Sequence, residues 1–453
     1  MMDTKALRQK ILDLAIHGKL VPQDPNDEPA SVLLERIKAE KERLIKEGKI
    51  KRSKKSAKTS DTPHYENVPF EVPDNWVWMT LGEVGTWQSG GTPSRSNKTY
   101  YGGNIPWLKT GDLNDGLISD IPESITEEAV ANSSAKINPA GSVLIAMYGA
   151  TIGKLGILTF PATTNQACCA CIEFNAITQL YLFYFLLSQR NGFIAKGGGG
   201  AQPNISKEII VNTFIPLPPL SEQQRIVMEI EKWFALIDQV EQGKADLQNT
   251  IKQTKSKILD LAIHGKLVPQ DPNDEPAIKL LKRINPDFTP CDNGHYTQLP
   301  DGWTFCRLDQ IIGYEQSTAY IVESTAYDDS YSTPVLTAGK SFIIGYTNEA
   351  TGIYSNLPCI IFDDFTTDSK LVDFPFKVKS SAMKILKVHK DIEVDYVAMF
   401  MSITKLVGDT HKRYWISEYS KLEIPIPSKA EQKRIIHAIH GIFTQLDLIM
   451  ESL

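Results

Sequence analysis

Residues 10–30 read KILDLAIHGKLVPQDPNDEPA, and residues 257–277 repeat this stretch letter for letter at an offset of 247. Chance does not produce an identical run of this length, so the chain carries an internal duplication. A shorter repeat follows each copy, where VPDNW at residues 72–76 matches LPDGW at residues 299–303. The sequence is therefore built on a frame that occurs twice.

A third repeat makes this frame circular. Residues 215–226 match residues 424–435 at an offset of 209. One copy of the frame runs unbroken through residues 215–277, whereas the other is divided between residues 424–453 and residues 1–30. Joining the two ends of the chain would regenerate its middle. The pattern therefore predicts neighbouring termini and pseudo-two-fold symmetry.

Apolar residues step by three and four through the unbroken copy, which is typical of a helix that packs along one seam. Pro216 and Pro218 before this run and Gly265 after it predict a helix over residues 221–264, about 65 Å long at 1.5 Å per residue. We expect it to pair antiparallel with a second helix assembled from the two ends of the chain. The alternative is two unrelated amphipathic helices, each packed on its own domain. The predicted seam comprises Ile226, Ile230, Trp233, Ile237, Val240, Leu247, Ile251, Ile258 and Leu261, with Ile435, Ile439, Ile442, Leu446, Ile449, Leu453, Leu7, Ile11 and Leu14 in the divided copy.

The stretches between the frame copies predict two further domains. Both are rich in β-branched and aromatic residues interrupted by Gly, Pro, Asn and Asp, which indicates mixed α/β structure with many short strands. Their contents diverge although their entry and exit motifs repeat, which favours two domains that perform one task on different targets. The predicted division is an N-terminal helical region with a basic linker at 1–66, a first domain at 67–219, a central helical region with a linker at 220–297, a second domain at 298–427, and a C-terminal helix at 428–453 that pairs with the N-terminal helix.

Polar loops after apolar strands are the candidate binding sites. Their Gln, Asn, Lys, Arg and hydroxyl side chains are of the types that contact base edges and phosphates. The alternative is that they are ordinary surface turns. Three segments align between the domains, namely 106–111 with 334–339, 144–154 with 360–370, and 196–206 with 408–417. The candidate DNA-binding residues in or next to them are Lys109, Thr110, Tyr148, Thr151, Lys154, Gln202, Asn204, Ser206, Thr337, Lys340, Thr367, Lys370, Lys412 and Arg413.

The composition is that of a globular chain, with 42% hydrophobic and 23% charged residues. No apolar run reaches the ~18 residues that a membrane span needs, and the N-terminus opens directly into an amphipathic pattern, so we expect a cytoplasmic protein. The net charge of −6 does not by itself indicate nucleic-acid binding, for which a basic patch is typical. This charge is a sum over a basic stretch at residues 38–58 and acidic stretches elsewhere, so it does not decide the question. The six cysteines form no Cys-x-x-Cys pair, so we expect small buried hydrophobes and no zinc site.

No motif for catalysis stands out. Residues 149–154 resemble a phosphate loop but are one residue short and lack the Ser or Thr after the lysine. The carboxylates of residues 363–368 with Lys370 would suit a metal-dependent nuclease, but the first domain keeps only the lysine, which favours a solvated turn. His17 and His264 each precede a glycine at a predicted helix end, where capping is the simpler role. We therefore expect neither a catalytic nor a metal site.

The circular frame and its motifs resemble the specificity subunits of type I restriction–modification systems. The resemblance covers nearly the whole chain and rests on PLPPLSEQQRI at residues 216–226, GATIGK at 149–154 and AQPNIS at 201–206. It implies an α/β (α+β) fold in which two target-recognition domains of mixed α/β structure are separated by long antiparallel coiled-coil helices. Each domain would read one half of a split DNA site. The second domain departs from the pattern, with Asp363-Asp364 where the first has Met147-Tyr148 and no Gln-Pro-Asn-Ile run.

The same resemblance implies the partners. They are double-stranded DNA, two methyltransferase subunits docked on the helical frame, and restriction subunits that join through the complex, with no membrane. S-adenosylmethionine, ATP and Mg²⁺ would belong to those subunits, and this non-catalytic chain would hold no cofactor. One alternative is a protein-interaction scaffold that does not bind DNA. A gel-shift experiment with random duplex DNA would distinguish this alternative from a DNA-binding subunit. The other is a stand-alone DNA-acting enzyme, against which the missing cofactor motifs count.

Replacing residues 67–219 by the matching segment of a related subunit should change one half of the recognised DNA site. The reason is that the repeated frame separates the two divergent domains. Methylation mapping of strains that carry either version measures this. Altered bases in both halves would contradict modular recognition.

Overall fold

The computed structural model describes residues 3–48, 68–173, 176–197, 204–291, 299–337, 341–406 and 413–453. The chain divides into two compact units, Met2–Gln242 and Gly243–Leu453. Each unit combines helices with small sheets, which confirms the predicted mixed class and its two-unit organisation. The finer domain boundaries drawn from the sequence stay a prediction.

Helices make up the repeated frame and flank the sheets. Those of the described residues are α1 (Thr4–Ile16), α2 (Ala30–Lys46), α3 (Leu81–Val84), α4 (Glu127–Ala131), α5 (Gln179–Ser188), α6 (Arg190–Lys196), α7 (Lys207–Val211), α8 (Leu220–Ile263), α9 (Ala277–Ile284), α10 (Val394–Ile403), α11 (Tyr414–Ser417) and α12 (Lys429–Ser452).

Short strands fill the stretches between the frame copies, as the sequence predicted. The first unit contains β1 (Val77–Thr80), β2 (Gly85–Ser89), β3 (Tyr101–Leu108), β4 (Gly116–Ile118), β5 (Ser124–Ile125), β6 (Val143–Ala146), β7 (Leu155–Leu158), β8 (Thr163–Thr164), β9 (Cys168–Glu173) and β10 (Phe214–Leu217). The second contains β11 (Thr304–Arg307), β12 (Ile312–Gln316), β13 (Thr333–Leu336), β14 (Ile343–Thr347), β15 (Cys359–Asp363), β16 (Ser369–Val372), β17 (Lys377–Val378), β18 (Met383–Val388) and β19 (Glu423–Ile426).

The two units build their sheets in the same order. The first has the orders β2-β9-β6-β7-β4, β5-β3-β8 and β1-β10, and the second has β12-β18-β15-β16, β14-β13-β17 and β11-β19. Every strand of the second unit thus has a counterpart in the first, and β4 is an addition at one edge. Two sequences that diverge almost completely between their frame motifs therefore adopt one topology.

The strands β6 and β15 explain why apolar runs mark the middle of each unit. Both are buried at every residue. Alternate residues of a strand point to opposite faces, and in β6 Val143 and Ile145 join one hydrophobic cluster while Leu144 and Ala146 join another. Each central strand therefore carries a core on both of its faces.

The helix α8 spans Leu220–Ile263, within one residue of the predicted ends at both termini. In the first unit α1 runs antiparallel to its first half, where the Arg8 guanidinium lies 2.6 Å from the Asp238 carboxylate and 5.1 Å from the Phe234 ring centre. The expected antiparallel pairing of an N-terminal helix with α8 is therefore confirmed inside this unit.

The second unit repeats this pairing with α12 and the second half of α8. Lys255 bonds with the Asp447 carboxylate and lies 4.9 Å from the Phe443 ring centre. These three residues are the counterparts of Arg8, Asp238 and Phe234 at the offsets of the repeats. The duplication thus extends from the sequence to individual side-chain contacts.

The predicted heptad seam is correct in part. Most of its isoleucines are buried, but some positions are exposed. An α-helix of 3.6 residues per turn drifts away from a 3.5-residue seam, and one short partner helix covers only part of the circumference. The seam residues that are buried are Ile226, Ile230, Ile237, Ile251, Ile258, Ile435, Ile439 and Ile11, whereas Trp233, Val240, Leu247, Ile442 and Ile449 are exposed.

A buried glutamate at the start of the frame helix joins three segments in each unit. The Glu222 carboxylate accepts hydrogen bonds from the Trp76 indole nitrogen at 2.9 Å and from the Gln23 amide at 2.5 Å. In the second unit the Glu431 carboxylate accepts from Trp303 at 3.0 Å and from Gln270 at 2.7 Å. Burial raises the pKa of Glu222 and of Glu431 above the ordinary value, so the indole and amide donors are what make burial of each carboxylate tolerable.

An ion pair beside each glutamate holds the repeated DPNDEP loop, which follows α1 in the first unit and α8 in the second. The Arg225 guanidinium lies 2.6 Å from the Asp27 carboxylate, and Arg434 lies 2.7 Å from Asp274. Hydrogen bonding to the arginine lowers the pKa of Asp27 and of Asp274. The repeated DPNDEP stretch is therefore a structural element of the frame.

The glycines after the histidines are required by the backbone. Gly18 has a φ of +65°, and a Cβ there would lie 2.5 Å from Pro73 Cγ. Gly265 has a φ of +63°, and its Cβ would lie 2.4 Å from Pro300 Cγ. His17 closes α1 with its ring nitrogen 2.6 Å from the Asp13 carbonyl oxygen, as expected of a helix cap.

Glu222→Ala should destabilise the first unit by about 1–3 kcal/mol, because the Trp76 N–H stays buried without an acceptor. Glu431→Ala should do the same to the second unit alone. Hydrogen exchange resolved by unit measures both effects. The control Lys232→Ala removes the exposed partner of Glu229 on α8 and should change either unit by less than about 0.5 kcal/mol. Equal destabilisation of both units by either variant would contradict the interpretation that each glutamate stabilises its own unit.

Candidate nucleic-acid interface

Two hairpin loops follow the central strands, and they carry the predicted site residues Tyr148, Thr151, Lys154 and Thr367. The first hairpin loop is residues 147–154, between β6 and β7, and the second is residues 364–368, between β15 and β16. The Met147 amide donates to the Ala167 carbonyl at 2.8 Å, and the Asp364 amide donates to the Ala382 carbonyl at 3.1 Å. The strand registers agree, because Ala146 pairs with Cys168 and Asp363 with Met383. Asp364 is therefore the counterpart of Met147.

This register corrects the sequence alignment by one residue. Asp363-Asp364 had been placed opposite Met147-Tyr148, but the counterpart of Tyr148 is Phe365. The hairpin ends differ further, because Ala146 N donates to Lys154 O at 2.9 Å while Asp363 N donates to Asp368 O at 2.8 Å. The expected match of Lys154 with Lys370 is therefore wrong, since Asp368 occupies the place of Lys154. The second loop is three residues shorter, and that difference shifted the sequence-based alignment.

A second polar segment lies beside each hairpin loop. The Ile205 amide donates to the Met147 carbonyl at 2.9 Å, and the Tyr414 amide donates to the Asp364 carbonyl at the same distance. Asn204 and Arg413 therefore occupy equivalent places.

An exposed aromatic side chain and a polar side chain come together in each unit. Tyr148 is 43% exposed and forms a β-bridge with Asn204. Phe365 is 37% exposed, and the Arg413 guanidinium lies 5.8 Å from its ring centre. We name these two pairs the aromatic–polar pairs. The sequence analysis selected three of these four residues and missed Phe365. It aligned the two loops by their lysines, whereas an alignment by the ends of the apolar strands would have placed Phe365 opposite Tyr148.

Lys109 belongs to a small cluster of opposite charges at the end of β3. Its ammonium bonds with Glu123, and Arg95 lies 3.1 Å from the same carboxylate. Hydrogen bonding to Lys109 lowers the pKa of Glu123. The Arg95 guanidinium also lies 4.4 Å from the Tyr101 ring centre. Lys109 is thus partly neutralised, Arg95 is a cation that the sequence analysis missed, and the neighbouring Thr110 is half-buried.

Two predicted hydroxyl groups make internal hydrogen bonds. Thr151 Oγ1 donates to the Tyr148 carbonyl at 2.9 Å inside the first hairpin loop. Ser206 Oγ accepts from the Ile209 amide at 3.2 Å and caps the N-terminus of α7. Both side chains therefore shape their loops.

Thr367 corrects another prediction. It is fully buried, and its Oγ1 accepts a hydrogen bond from the Leu406 amide at 3.2 Å. A DNA contact by this side chain is therefore wrong, because apolar and backbone neighbours enclose it. Its φ of +58° helps to close the short second hairpin loop.

Lys370 and Thr337 lie along one cleft of about 380 Å³ in the second unit. Lys370 lies in β16, not in a turn, and its ammonium sits 4.4 Å from the Phe342 ring centre. Lys154 is half-buried in the first hairpin loop, where no side-chain partner for it occurs among the described residues. Gln202, Lys340 and Lys412 lie outside the described residues.

The phosphate-loop resemblance does not survive in the structure. Residues 149–154 join two antiparallel strands instead of a strand and a helix. The amide of Gly153 donates to the Ala146 carbonyl at 3.0 Å, and that of Lys154 donates to Thr151 at 2.9 Å. The backbone donors of these two residues are therefore not available to cradle a phosphate.

The paired aspartates of the second unit have structural partners. The Asp363 carboxylate accepts from the Phe365 amide at 3.1 Å and from the Thr366 side chain. The Asp364 carboxylate accepts from the Trp415 amide at 2.8 Å and lies 3.6 Å from the buried Lys384 ammonium. Within the described ranges, no cluster of His, Cys, Asp and Glu is arranged to hold a metal ion.

None of the helices described here is both long and apolar enough to cross a membrane.

The sequence is similar to known protein families and relatives. Residues 73–249 match the type I restriction modification DNA specificity domain. The EcoAI specificity subunit of Escherichia coli is 31% identical over 383 residues, which cover 70% of this chain but only 64% of that relative. The EcoEI specificity subunit of Escherichia coli is 29% identical over 554 residues, covering 99% of this chain and 90% of that relative.

The chain is similar to the specificity subunits of type I restriction–modification systems over most of its length. Both relatives are named as specificity subunits of type I restriction enzymes, which agrees with the expected non-catalytic role. A solved chain from a study of complex assembly and conformational transition of the type I R-M system has a TM-score of 0.61 at 17% identity, covering 85% of this chain and 94% of that one. At this identity, the likeness concerns the fold alone.

Asn204→Ala and Arg413→Ala should each reduce discrimination at a different half of the DNA site, by about 1–3 kcal/mol. The reason is that equivalent loops of the two units carry these side chains. Competition binding of the specificity subunit to duplexes altered in one half measures the effect. Lys257→Ala, on the exposed surface of α8, is the control and should leave discrimination unchanged. Loss at both halves from one variant would contradict the assignment.

Proposed function

We propose that this specificity subunit reads a bipartite site in duplex DNA, one half with each unit, and brings methyltransferase and restriction subunits to it. The observation that carries the proposal is the placement of the aromatic–polar pairs. One sheet order occurs twice, and the same loops present Tyr148 with Asn204 in one unit and Phe365 with Arg413 in the other. One scaffold with two different sets of contacting groups is what a reader of two different half-sites requires.

The side-chain chemistry of the pairs suits base recognition. An asparagine can bond both N6 and N7 of adenine, and an arginine can bond both O6 and N7 of guanine in the major groove. The aromatic rings offer an apolar surface to thymine methyl groups. The two units would therefore prefer different bases at equivalent places of their half-sites.

Charge supports a division of labour between the subunits. The chain has a net charge of −6, and Lys109, Arg95 and Lys405 are engaged with carboxylates. Phosphate contacts dominate the affinity of most DNA-binding proteins. We infer that this chain supplies base discrimination and that the partner subunits supply much of the phosphate contact.

Exposed apolar side chains on the frame helices provide a docking surface for those partners. On the first half of α8 they are Met228, Trp233, Leu236 and Val240. The second unit exposes Leu247, Ile442, Leu448 and Ile449 on α8 and α12. Contiguous exposed apolar surface marks protein–protein interaction sites. One such surface in each unit suits two copies of the methyltransferase subunit, with the restriction subunits joining through the complex.

The proposal leaves the chemistry to those partners. S-adenosylmethionine, ATP and Mg²⁺ would bind to the methyltransferase and restriction subunits, and the complex would act on DNA in the cytoplasm. The test is reconstitution with the methyltransferase subunit. Methylation at one split sequence that depends on this chain supports the proposal. Binding of the partner without any DNA selectivity would favour a scaffold, and methyl transfer or cleavage by the pure chain alone would favour an enzyme.

Trp233→Ser together with Val240→Ser should weaken methyltransferase docking at least about tenfold, because both side chains are exposed and apolar. The DNA half-sites recognised by the free subunit should not change. Calorimetric titration with the partner measures the first effect and competition binding the second. The control Leu117→Ser removes an even more exposed apolar side chain from β4 and should leave docking intact. Unchanged docking of the double variant would remove this surface from the interface.

A further inference from the structure

A basic residue stands at the same place in both units, just after the helix that follows each sheet. α5 ends at Ser188 and α10 at Ile403, and Arg190 and Lys405 lie two residues beyond these ends. Both helices are anchored alike. The Tyr181 hydroxyl donates to the Pro216 carbonyl at 2.7 Å, and the Tyr396 hydroxyl donates to the Pro425 carbonyl at 2.8 Å. The two basic residues are therefore structural counterparts.

Arg190 holds the end of the first hairpin loop through several contacts. Its Nε donates to the Gly153 carbonyl at 2.9 Å, and its terminal nitrogen bonds with the Asp115 carboxylate. The same carboxylate accepts from the Leu155 amide at 2.9 Å. Gly153 has a φ of +77°, and a Cβ at this position would lie 2.9 Å from Arg190 Cγ. The loop and the arginine are thus fitted against each other.

Lys405 holds the corresponding end of the second hairpin loop. Its ammonium bonds with the carboxylate of Asp368, which is the residue at the place of Lys154. The next residue, Leu406, donates its amide to Thr367 Oγ1 at 3.2 Å. Different side chains therefore make the same connection, from the end of the helix to the last residues of the loop.

Both helices are tied to the repeated frame. In the first unit the Gln9 amide of α1 donates to the Ser188 carbonyl at the end of α5, at 3.2 Å. In the second unit the Gln432 side chain of α12 accepts from the Glu393 amide at the start of α10, at 2.9 Å. A contiguous path of bonded groups therefore leads from the frame helices to each hairpin loop.

We infer that Arg190 and Lys405 are positioning residues that hold the two DNA-reading loops in register with the helical frame without contacting DNA themselves. The inference rests on the proposed function. Tyr148 and Phe365 lie on these loops, so loosening either clamp would let an aromatic–polar pair move. Binding to the correct bases would weaken relative to other sequences, because misplacement removes geometry-dependent contacts and leaves phosphate contacts in place.

Two measurements on Arg190→Met in the full chain test this. Without DNA, hydrogen exchange in residues 147–155 should become about tenfold faster, because the bonds to Gly153 and Asp115 are lost. With DNA, the preference for the correct first half-site should fall about tenfold while the salt dependence of binding stays the same. Arg190→Lys keeps the pair with Asp115 and should recover much of both.

The control Arg36→Met removes an exposed ion pair with Glu28 on α2 and should change neither measurement. Lys405→Met should act on the second hairpin loop and the second half-site alone. A salt slope reduced by about one unit with an unchanged exchange rate would make Arg190 a phosphate contact and overturn the inference. A wild-type protein without sequence preference would instead overturn the proposed function, whatever the exchange rates show.

Discussion

The carboxylates of Glu222 and Glu431 are the contacts on which the rest of each unit depends. Each one sits at the start of a frame segment and receives the indole N–H of the entry motif and the amide of the repeated loop. A buried carboxylate that lost one of these donors would carry a large desolvation cost. All three segments must therefore keep their residues together, and all three are repeated in the sequence.

This constraint explains why the frame is repeated so faithfully while the domains between its copies differ. The frame is a set of buried polar contacts in which one wrong partner leaves another group unsatisfied. The hairpin loops are different at their tips, where Tyr148, Ala150, Phe365 and Thr366 are exposed. Tyr148 and Phe365, or Asn204 and Arg413, can replace one another there without disturbing the sheet. A scaffold of this kind is able to change its target while it keeps its architecture.

Under the proposed function, the two kinds of surface would serve two kinds of partner. The frame helices expose Met228, Trp233 and Leu236, which are apolar and suit another protein. The loops expose aromatic and hydrogen-bonding groups, which suit base edges. Arg190 and Lys405 bond with the ends of these loops. DNA reading and partner docking would then share one rigid body within each unit.

The sequence by itself determined the frame, because the repeated stretch, the apolar period and the proline and glycine boundaries are local signals. They predicted the ends of α8 to within one residue and the capping role of His17. The sequence could not determine which seam positions are covered, and it placed Trp233 and Val240 in a contact where the structure leaves them exposed. It also mismatched the hairpin loops, because their lengths differ and lysine identity was a poor guide to position. Only the strand pairing and the backbone bonds between neighbouring segments showed that Asp368 stands at the place of Lys154, that Thr367 is buried, and that Phe365 belongs to the candidate site. These facts depend on hydrogen bonds between residues far apart in the chain, which no local pattern records.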